Sequence, residues 1–411
     1  MSASTTDMSG HSSGGLADQF NDYFKRLKGG EMGSLPAILA LLILGVLFTS
    51  LNEFFLTKLN FANLFVQAAE LTVLACALVF LIILTEIDLS AGVTGGVGMA
   101  ALTLLIKDYD WALVPALLAA LAIGVSTGMV IGFIVAKIGV PAFVVSLGFF
   151  LGYQGLQLVM LGDGGIFRVE NPTIKGIMNQ NLPAWAGWTL LAVAIAASVL
   201  ITAWDRSRRV KAGLVNAPIA FVITKLSLLV VCGGLAVYVL NQNRSKSIKP
   251  ILGVPKVVPL VLAIVFVGTM VLDRTRFGRH LYAVGGNPEA ARRAGINVAR
   301  IRISGFVICS SLAVISGILH ASRVGSVEST AGRQIVLSGV AAAVVGGVSL
   351  FGGRGRLANA AIGALAIAMI DNGLGLLGLP GGINFLVTGG VLVLAATVDA
   401  LARKRNAAIR R

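Results

Sequence analysis

Charged side chains are scarce in this sequence, and their scarcity excludes an ordinary soluble domain. Asp, Glu, Lys and Arg make up 12% of the 411 residues, whereas soluble domains carry about 25%. Hydrophobic residues make up 56%, and the mean hydropathy is +0.88. We therefore predict an all-α polytopic membrane protein in contact with lipid. Its net charge of +15 is then expected to mark the cytoplasmic side of a bilayer, and we expect no nucleic-acid partner.

Cysteine is also scarce. The three cysteines, Cys76, Cys232 and Cys309, all lie in apolar runs. A Cys in such a run behaves as a small hydrophobic residue. We therefore expect three core residues and no disulfide.

Histidine is equally rare, and no catalytic constellation is present. His11, His280 and His320 share no metal-ligand spacing, so we expect neither a metal nor a cofactor. The glycine cluster Gly346–Gly355 is not followed by Lys and Ser or Thr, which excludes a Walker A loop. The chain is therefore not expected to be an enzyme, and an ATP-driven process would need a separate ATPase subunit.

Apolar runs recur along the chain at the length that crosses a bilayer, about 17–25 residues. Some of the candidates are short or interrupted by Gly, so we expect about 10–12 transmembrane helices. The runs lie near 35–52, 64–85, 90–106, 112–136, 141–161, 187–203, 217–240, 256–272, 303–321, 335–350, 357–377 and 383–401. The first is expected to be an anchor rather than a cleavable signal peptide.

The positive charges predict the orientation of these runs. If both termini are cytoplasmic, 22 of the 33 Lys and Arg residues lie on that side, as the positive-inside rule requires. We predict a cytoplasmic tail over 1–34, a transmembrane domain over 35–402 and a basic cytoplasmic tail over 403–411. Within the first tail, 16–27 has the spacing of an amphipathic helix on the membrane surface. A frayed tail is the alternative.

The chain has one concentration of charge, Asp273–Arg302, here called the charged segment. It holds seven Arg against two acidic residues. Under the orientation above, it is a cytoplasmic loop between two spans.

A short helix is predicted inside the charged segment, from Pro288 to Ala294. Asn287 is an N-cap residue, Pro suits the first helical position, Glu289 favours the positive helix end, and Gly295 ends the helix. At about two turns, the helix is marginal alone. We expect its exposed faces to offer small side chains beside cations, namely Ala290, Ala291 and Ala294 with Arg292 and Arg293. Such a helix makes sense if it docks into a groove on a partner; a solvated loop is the alternative.

Two apolar runs are unusually rich in Gly: 86–98 and 345–355. Each Gly costs about 1 kcal/mol relative to Ala inside a helix. Such runs indicate either broken or re-entrant backbone, which a membrane tolerates where protein or a water-filled cavity covers it, or very close helix contact.

Acidic residues interrupt the apolar runs at two places. Glu86 and Asp88 lie between two runs, and Asp371 precedes Asn372 within another. A carboxylate at bilayer depth costs on the order of 3 kcal/mol, so it usually faces a cavity or a partner. We predict that Asp88 caps the following helix, with pathway lining a consequence of its position.

These motifs resemble the permease subunits of bacterial ABC importers for ribose, galactose, arabinose and xylose. The resemblance spans about residue 60 to the end of the chain, and the order and spacing of the motifs make it specific. The motifs are Glu86–Gly92, Pro141–Gly148, Phe277–Asn287 with Ala290, Ala291 and Gly295–Val298, then Gly346–Gly355 and Asp371–Leu374. The extra apolar runs near 187–203 and 217–240 make the chain most similar to xylose permeases.

The resemblance implies a multi-pass protein of the bacterial inner membrane that imports a monosaccharide, D-xylose above all, by alternating access. It implies a homodimer on a pair of ATPase subunits, fed by a periplasmic sugar-binding protein. Residues expected near the pathway or supporting its broken helices are Glu86, Asp88, Ser90, Gly92, Gly346, Gly347, Ser349, Asp371 and Asn372. Residues expected to couple the permease to the ATPase are Gly285, Gly286, Asn287, Pro288, Glu289, Ala290, Ala291, Arg293 and Gly295.

The chain also departs from the family pattern. Where the family commonly has Glu-Leu-Asp-Ala-Ile-Ala-Ala, it carries 336–342 without either acid, and Ser338 stands in place of the Asp. Another monosaccharide (ribose, arabinose or galactose) is therefore an alternative substrate. A proton- or ion-coupled secondary carrier that acts alone is the alternative mechanism.

Overall fold

The computed structural model describes residues 35–214, 219–245 and 247–409. The predicted amphipathic helix over 16–27 lies outside them, as does His11. In chain order the elements are α1 (Leu35–Leu51), α2 (Lys58–Ile82), α3 (Ala91–Lys107), α4 (Leu113–Phe133), α5 (Ala142–Leu161), β1 (Ile166–Arg168), α6 (Pro172–Asn179), α7 (Ala184–Lys211), α8 (Ile219–Leu240), α9 (Val257–Arg274), α10 (Arg276–Gly286), α11 (Pro288–Arg293), α12 (Val298–Val324), β2 (Ser326–Glu328), α13 (Ile335–Val345), α14 (Leu357–Leu376) and α15 (Gly381–Ile409).

The helices confirm an all-α polytopic membrane protein. Among the described residues, nine helices are long and apolar enough to cross a membrane, and three shorter apolar helices, α1, α3 and α13, accompany them. All twelve coincide with the predicted runs. The run predicted over 335–350 is shorter as a helix, because α13 ends at Val345 and a glycine loop follows. At 11 residues, α13 is about 16 Å long and reaches only partway across a bilayer.

Helices α2 and α12 form the centre of the bundle and pack against each other. Most of α2 beyond Ala68 is buried. On α12 the buried face includes Phe306, Cys309 and Ala313. Around them pack α3, α4, α13 and α14, so the core is a ring of apolar helices about one central pair.

The glycines of the first predicted irregular run are explained by close helix contact rather than by broken backbone. Helix α3 is a regular α-helix from Ala91. A Cβ on Gly95 would lie 2.5 Å from the carbonyl oxygen of Ala313, and one on Gly92 would collide with the carbonyl oxygen of Gly332. Small residues let the backbones of α3 and its neighbours approach.

The second glycine run is broken backbone, which is one of the two alternatives that the sequence left open. It forms the loop between α13 and α14, in which Gly347, Gly352 and Gly353 have φ of 90°, 77° and 69°. Such left-handed conformations favour Gly. The loop therefore ends the short helix α13 and redirects the chain into α14.

The cysteines differ in burial. Cys76 and Cys309 are buried core residues as predicted. Cys232 is exposed on α8, so its assignment to the core was wrong. An apolar run does not distinguish a residue that faces protein from one that faces lipid.

Candidate functional site

A polar cavity of about 450 Å³ opens between α2, α12, α13 and α14. Its volume lies in the range of about 300–1,000 Å³ that is usual for small-molecule sites. Its lining is Asn60, Asn63, Gln67, Glu70, Leu71, Arg323, Ile335, Ser338, Ala368, Asp371, Asn372, Gly375 and Leu376. Eight of these are amide, hydroxyl or charged residues, in a bundle whose core is otherwise apolar.

The cavity lies in one half of the bundle. Its lining comes from the first half of α2, the last turn of α12, the first turn of α13 and the second half of α14. The charged segment lies at the other ends of α2 and α12. The cavity and the charged segment are therefore at opposite ends of the protein.

Glu70 anchors one wall of the cavity through an ion pair in which the Glu70 carboxylate is buried. Its Oε1 lies 2.9 Å from Nη2 of Arg323, and its Oε2 lies 3.1 Å from Nε. Nδ1 of His320 lies 3.2 Å from the same Oε2. On the backbone, Ser316 donates a 2.8 Å hydrogen bond to the carbonyl of Glu70. The three partners recur at helical spacing on one face of α12, so Glu70 fastens α2 to α12.

Sequence reasoning did not identify this ion pair. Glu70 is a single acid within an otherwise apolar run, and its partner Arg323 lies 253 residues later. One signal in the sequence could have found it. A lone carboxylate inside a span is energetically costly, so it usually has a functional role or a partner on another helix.

Asn60 and Asn372 close the outer part of the cavity. Each side-chain amide donates a 2.8 Å hydrogen bond to the other's Oδ1. Asn60 also donates to the carbonyl of Phe55 at 2.9 Å. Both residues are buried, so the pair joins α2 to α14. The prediction from sequence had placed Asp371 and Asn372 near the pathway, and both line this cavity, as does Ser338.

At the opposite end, three segments of the chain meet around the carbonyl oxygen of Ile83. Gly353 donates a 2.8 Å backbone hydrogen bond to it. A Cβ on Gly285 would collide with the same oxygen. The charged segment, the end of α2 and the glycine loop therefore contact one another backbone to backbone.

The two acids after α2 lie at this same end, not at the cavity. Oε1 of Glu86 lies 3.2 Å from Nε of Arg302, and the Glu86 carboxylate is largely buried. Burial raises the pKa of Glu86, and the charge of Arg302 opposes this rise. The pair joins the loop over 83–90 to the start of α12.

Asp88 lies two residues before Ser90, which is the N-cap residue of α3. It therefore holds the residue before the helix and is not the cap that the sequence predicted. Its Oδ1 accepts hydrogen bonds from the backbone N–H of Ser90 at 2.8 Å and from the Ser90 hydroxyl at 2.5 Å. Its Oδ2 is buried and has no hydrogen-bond partner among the described residues. Burial raises the pKa of Asp88, and the hydrogen bonds from Ser90 and Ala91 oppose it.

The remaining pathway residues lie in the glycine loop or the core. Ser349 donates a 3.0 Å hydrogen bond to Oδ2 of Asp399, and Gly346 packs against the carbonyl of Asn359. Of the nine predicted pathway residues, only Asp371 and Asn372 therefore line the cavity; Glu86, Asp88 and Ser90 are brought together at the other end.

The short helix predicted in the charged segment is confirmed as α11. The side chain of Asn287 accepts a 2.9 Å hydrogen bond from the backbone N–H of Ala290. Gly295 follows the helix with φ of 81°. The Glu289 carboxylate forms an exposed ion pair with Arg292, in which Oε2 lies 2.8 Å from Nη1.

One residue of this helix faces inward. Ala291 had been expected on an exposed face, but it is buried in the core cluster. Its small side chain fixes α11 to the bundle, while Ala290, Arg293 and Ala294 stay exposed. The exposed surface of α11 thus combines small residues with charges.

Comparisons with known proteins agree with the resemblance seen in the sequence. Residues 60–396 match the family model described as "Branched-chain amino acid transport system / permease component". The chain is 33% identical over 390 residues to the xylose transport system permease protein XylH of Escherichia coli K12, covering 93% of this chain and 95% of that protein. It is 31% identical over 369 residues to the ribose import permease protein RbsC of the same strain, covering 88% and 92%.

A third relative is the autoinducer 2 import system permease protein LsrC of Enterobacter sp. strain 638. It is 29% identical over 378 residues, covering 92% of this chain and 89% of that protein. No solved structure matches the chain. The matched range contains the cavity and the charged segment alike, and the chain therefore belongs to the family of ABC-importer permeases that includes these xylose and ribose permeases.

Proposed function

We propose that this chain is the permease subunit of an ATP-driven importer that moves a pentose, D-xylose, into the cytoplasm. The observation that carries the proposal is the polar cavity at one end of the bundle, opposite the closed contact of Ile83 with Gly285 and Gly353. A cavity that opens at one end while the other is sealed is one of the two states that alternating access requires.

The lining of the cavity suits a small neutral polyol. Sugar hydroxyls both donate and accept hydrogen bonds, and the cavity presents carboxylate, amide, hydroxyl and guanidinium groups. Relatives named for xylose and ribose transport match almost the full chain. The names of these relatives favour a sugar, and the stronger of the two matches is to the xylose permease.

The partners follow from the same proposal. The chain has no Walker A loop, so ATP hydrolysis belongs to a separate ATPase subunit, and α11 is the coupling helix that inserts into it. Two copies of the permease form the dimer above two ATPases, and a periplasmic sugar-binding protein delivers the substrate to the cavity. Both termini are cytoplasmic, with the transmembrane domain over 35–402 between the two tails.

The test is reconstitution. The permease is purified with a tag from bacterial membranes, its associated subunits are identified by mass, and the complex is placed in liposomes with a pentose-binding protein. The expected result is ATP-dependent uptake of labelled D-xylose, lost in the cavity variant Gln67→Ala. The matched control is Lys249→Ala, in the exposed loop after α8. Absence of any ATPase subunit together with absence of uptake would contradict the proposal.

A proton-coupled secondary carrier is a second candidate, because Asp371 faces the cavity without a bonded partner among the described residues. A proton-carrying carboxylate needs such a position. This candidate predicts uptake by the permease alone, abolished by an uncoupler and by Asp371→Asn. Uptake that needs ATP and survives the uncoupler supports the importer. Competition of labelled D-xylose with ribose, arabinose and galactose then distinguishes the sugars.

A further inference from the structure

The cavity contains two classes of polar side chain. In the first class, the groups are bonded to each other: Asn60 with Asn372, and Glu70 with Arg323. In the second class, Asn63, Gln67, Ser338 and Asp371 have no hydrogen-bond or ion-pair partner among the described residues. The first class builds the walls, and the second is available to a ligand.

The cavity lining has more acidic side chains than basic ones. Arg323 is the cation among the lining residues, and Glu70 and Asp371 are the two acids. Glu70 occupies two guanidinium N–H groups of Arg323, while the Arg323 side chain keeps 33% of its surface exposed. The His320 ring contacts Glu70 but is not part of this lining. The charge of Arg323 also acts on Asp371, which makes no hydrogen bond or ion pair of its own among the described residues. A ligand therefore meets one cation that is already paired with Glu70, together with a second carboxylate.

From this arrangement we infer that Glu70 is a specificity-determining residue: it masks Arg323, so that the cavity accepts neutral polyhydroxy compounds and rejects anionic ones such as sugar acids. This inference rests on the proposed function and specifies its substrate class. A neutral sugar donates hydroxyl protons to Asp371 and accepts hydrogen bonds from Gln67, Asn63 and the remaining N–H groups of Arg323. A carboxylate ligand instead faces Asp371 without a free counter-charge, and juxtaposed like charges oppose binding.

The inference is tested by binding to the full-length permease in lipid nanodiscs, without the binding protein. Saturation-transfer NMR with D-xylose and with D-xylonate, its sugar acid, gives the ratio of the two affinities. The wild type is expected to favour D-xylose by about tenfold or more. Equal affinity of the wild type for the two compounds would overturn the inference without any variant.

Three variants separate masking from simple structural damage. Glu70→Gln exposes Arg323 and is expected to raise the relative affinity for D-xylonate about tenfold. The double variant Glu70→Gln with Arg323→Gln removes both charges and is expected to lose this gain. Asp371→Asn removes the unpaired acid without breaking a bonded pair. It is expected to raise the affinity for D-xylonate relative to D-xylose, and it provides a test even if Glu70→Gln does not accumulate in the membrane. An unchanged ratio in a folded Glu70→Gln or in Asp371→Asn would contradict the inference.

Failure of the inference and failure of the proposed function give different results. If reconstituted uptake of D-xylose is normal and these ratios do not move, Glu70 is a structural clamp and the importer stands. A second outcome is that D-xylose is not taken up, but the variants change the affinity for a sugar acid relative to another neutral sugar, such as ribose. The masking role of Glu70 then stands, and the assigned pentose is wrong.

Discussion

The carbonyl oxygen of Ile83 occupies the position that a Cβ atom on Gly285 would take. This contact joins the end of α2, which lines the cavity in its first half, to the helix that precedes α11. A displacement of the charged segment would therefore reach α2 through backbone contact, without an intervening side chain. Such close-packed contacts transmit displacement because interiors compress little.

Gly285→Ala is predicted to disrupt this contact, while Gly286→Ala is predicted to be tolerated. The added methyl group at 285 meets backbone and costs about 1–3 kcal/mol. At 286 nothing lies within 4 Å of an added Cβ, so the change is expected within about 0.5 kcal/mol. Thermal unfolding in detergent and sugar-stimulated ATPase activity measure both effects. Equal behaviour of the two variants would refute the role of the contact.

Replacing Asn287, Pro288 and Glu289 together by Ala is predicted to abolish sugar-stimulated ATPase activity while the permease remains in the membrane. The change removes the N-cap bond to Ala290, worth about 1 kcal/mol, and the acid at the helix start. The control is Arg300→Ala, an exposed residue of the same charged segment outside α11. Normal sugar-stimulated ATPase activity in the triple variant would contradict the assignment of α11 as the coupling helix.

The Asn60–Asn372 pair is predicted to be energetically coupled. Asn60→Ala or Asn372→Ala alone leaves a buried amide without its partner, at a cost of about 1–3 kcal/mol. The double variant removes both amides and is expected to cost less than the sum, by about 1 kcal/mol. Thermal unfolding of the four proteins completes the cycle, with Asn63→Ala as an exposed cavity control. Strict additivity would show that the two amides act independently.

Asp88→Asn is predicted to preserve the start of α3, while Asp88→Ala is predicted to cost about 1–3 kcal/mol, because buried donors of Ser90 lose their acceptor. Asn keeps the oxygen that accepts from Ser90 and places an uncharged amide where Oδ2 has no partner. Ala loses the acceptor. Unfolding temperatures of the two variants at neutral pH check the order.

The same residue predicts a pH dependence of stability. Burial raises the pKa of Asp88 above its ordinary value of 3.8, so the folded protein binds this proton more tightly than the unfolded chain does. Stability from this group is therefore complete below 3.8 and declines as the pH rises toward the raised pKa. Asp88→Asn is expected to flatten this decline, and Glu86, whose pKa is also raised, supplies the remainder. A decline of the same slope in Asp88→Asn would exclude Asp88 as its source.

The spans and the short helix could be predicted because their signals are local. Apolar runs of bilayer length gave each helix, although some ends differ by several residues: α7 ends at Lys211 rather than near 203, and α12 begins at Val298 rather than near 303. Asn287 and Gly295 marked the ends of α11 because capping depends on neighbouring residues. Local chemistry sufficed for these elements.

The cavity could be predicted only in part, because it is built from distant pairs. Asp371 and Asn372 could be recognised because they interrupt an apolar run. Glu70 could not be interpreted in this way, because its partner Arg323 lies on another helix. Glu86 has the same ambiguity: the sequence predicted a cavity or a partner for it, but its pairing with Arg302 at the end away from the cavity depends on how α2 and α12 pack. The spacing of residues along the sequence does not show how these two helices pack.

Helices α7 and α8 lie at the edge of the bundle. Gly187 is the buried residue of α7, while Val237 and Leu240 are those of α8. Elsewhere their surfaces face outward, with side chains such as Leu200 and Leu228 exposed. These exposed apolar faces meet the hydrocarbon of the bilayer, which asks for hydrophobicity rather than for a particular shape. Exchanging one apolar side chain for another there is therefore expected to change the stability less than the same exchange beside α2 or α12, where close packing makes volume matter.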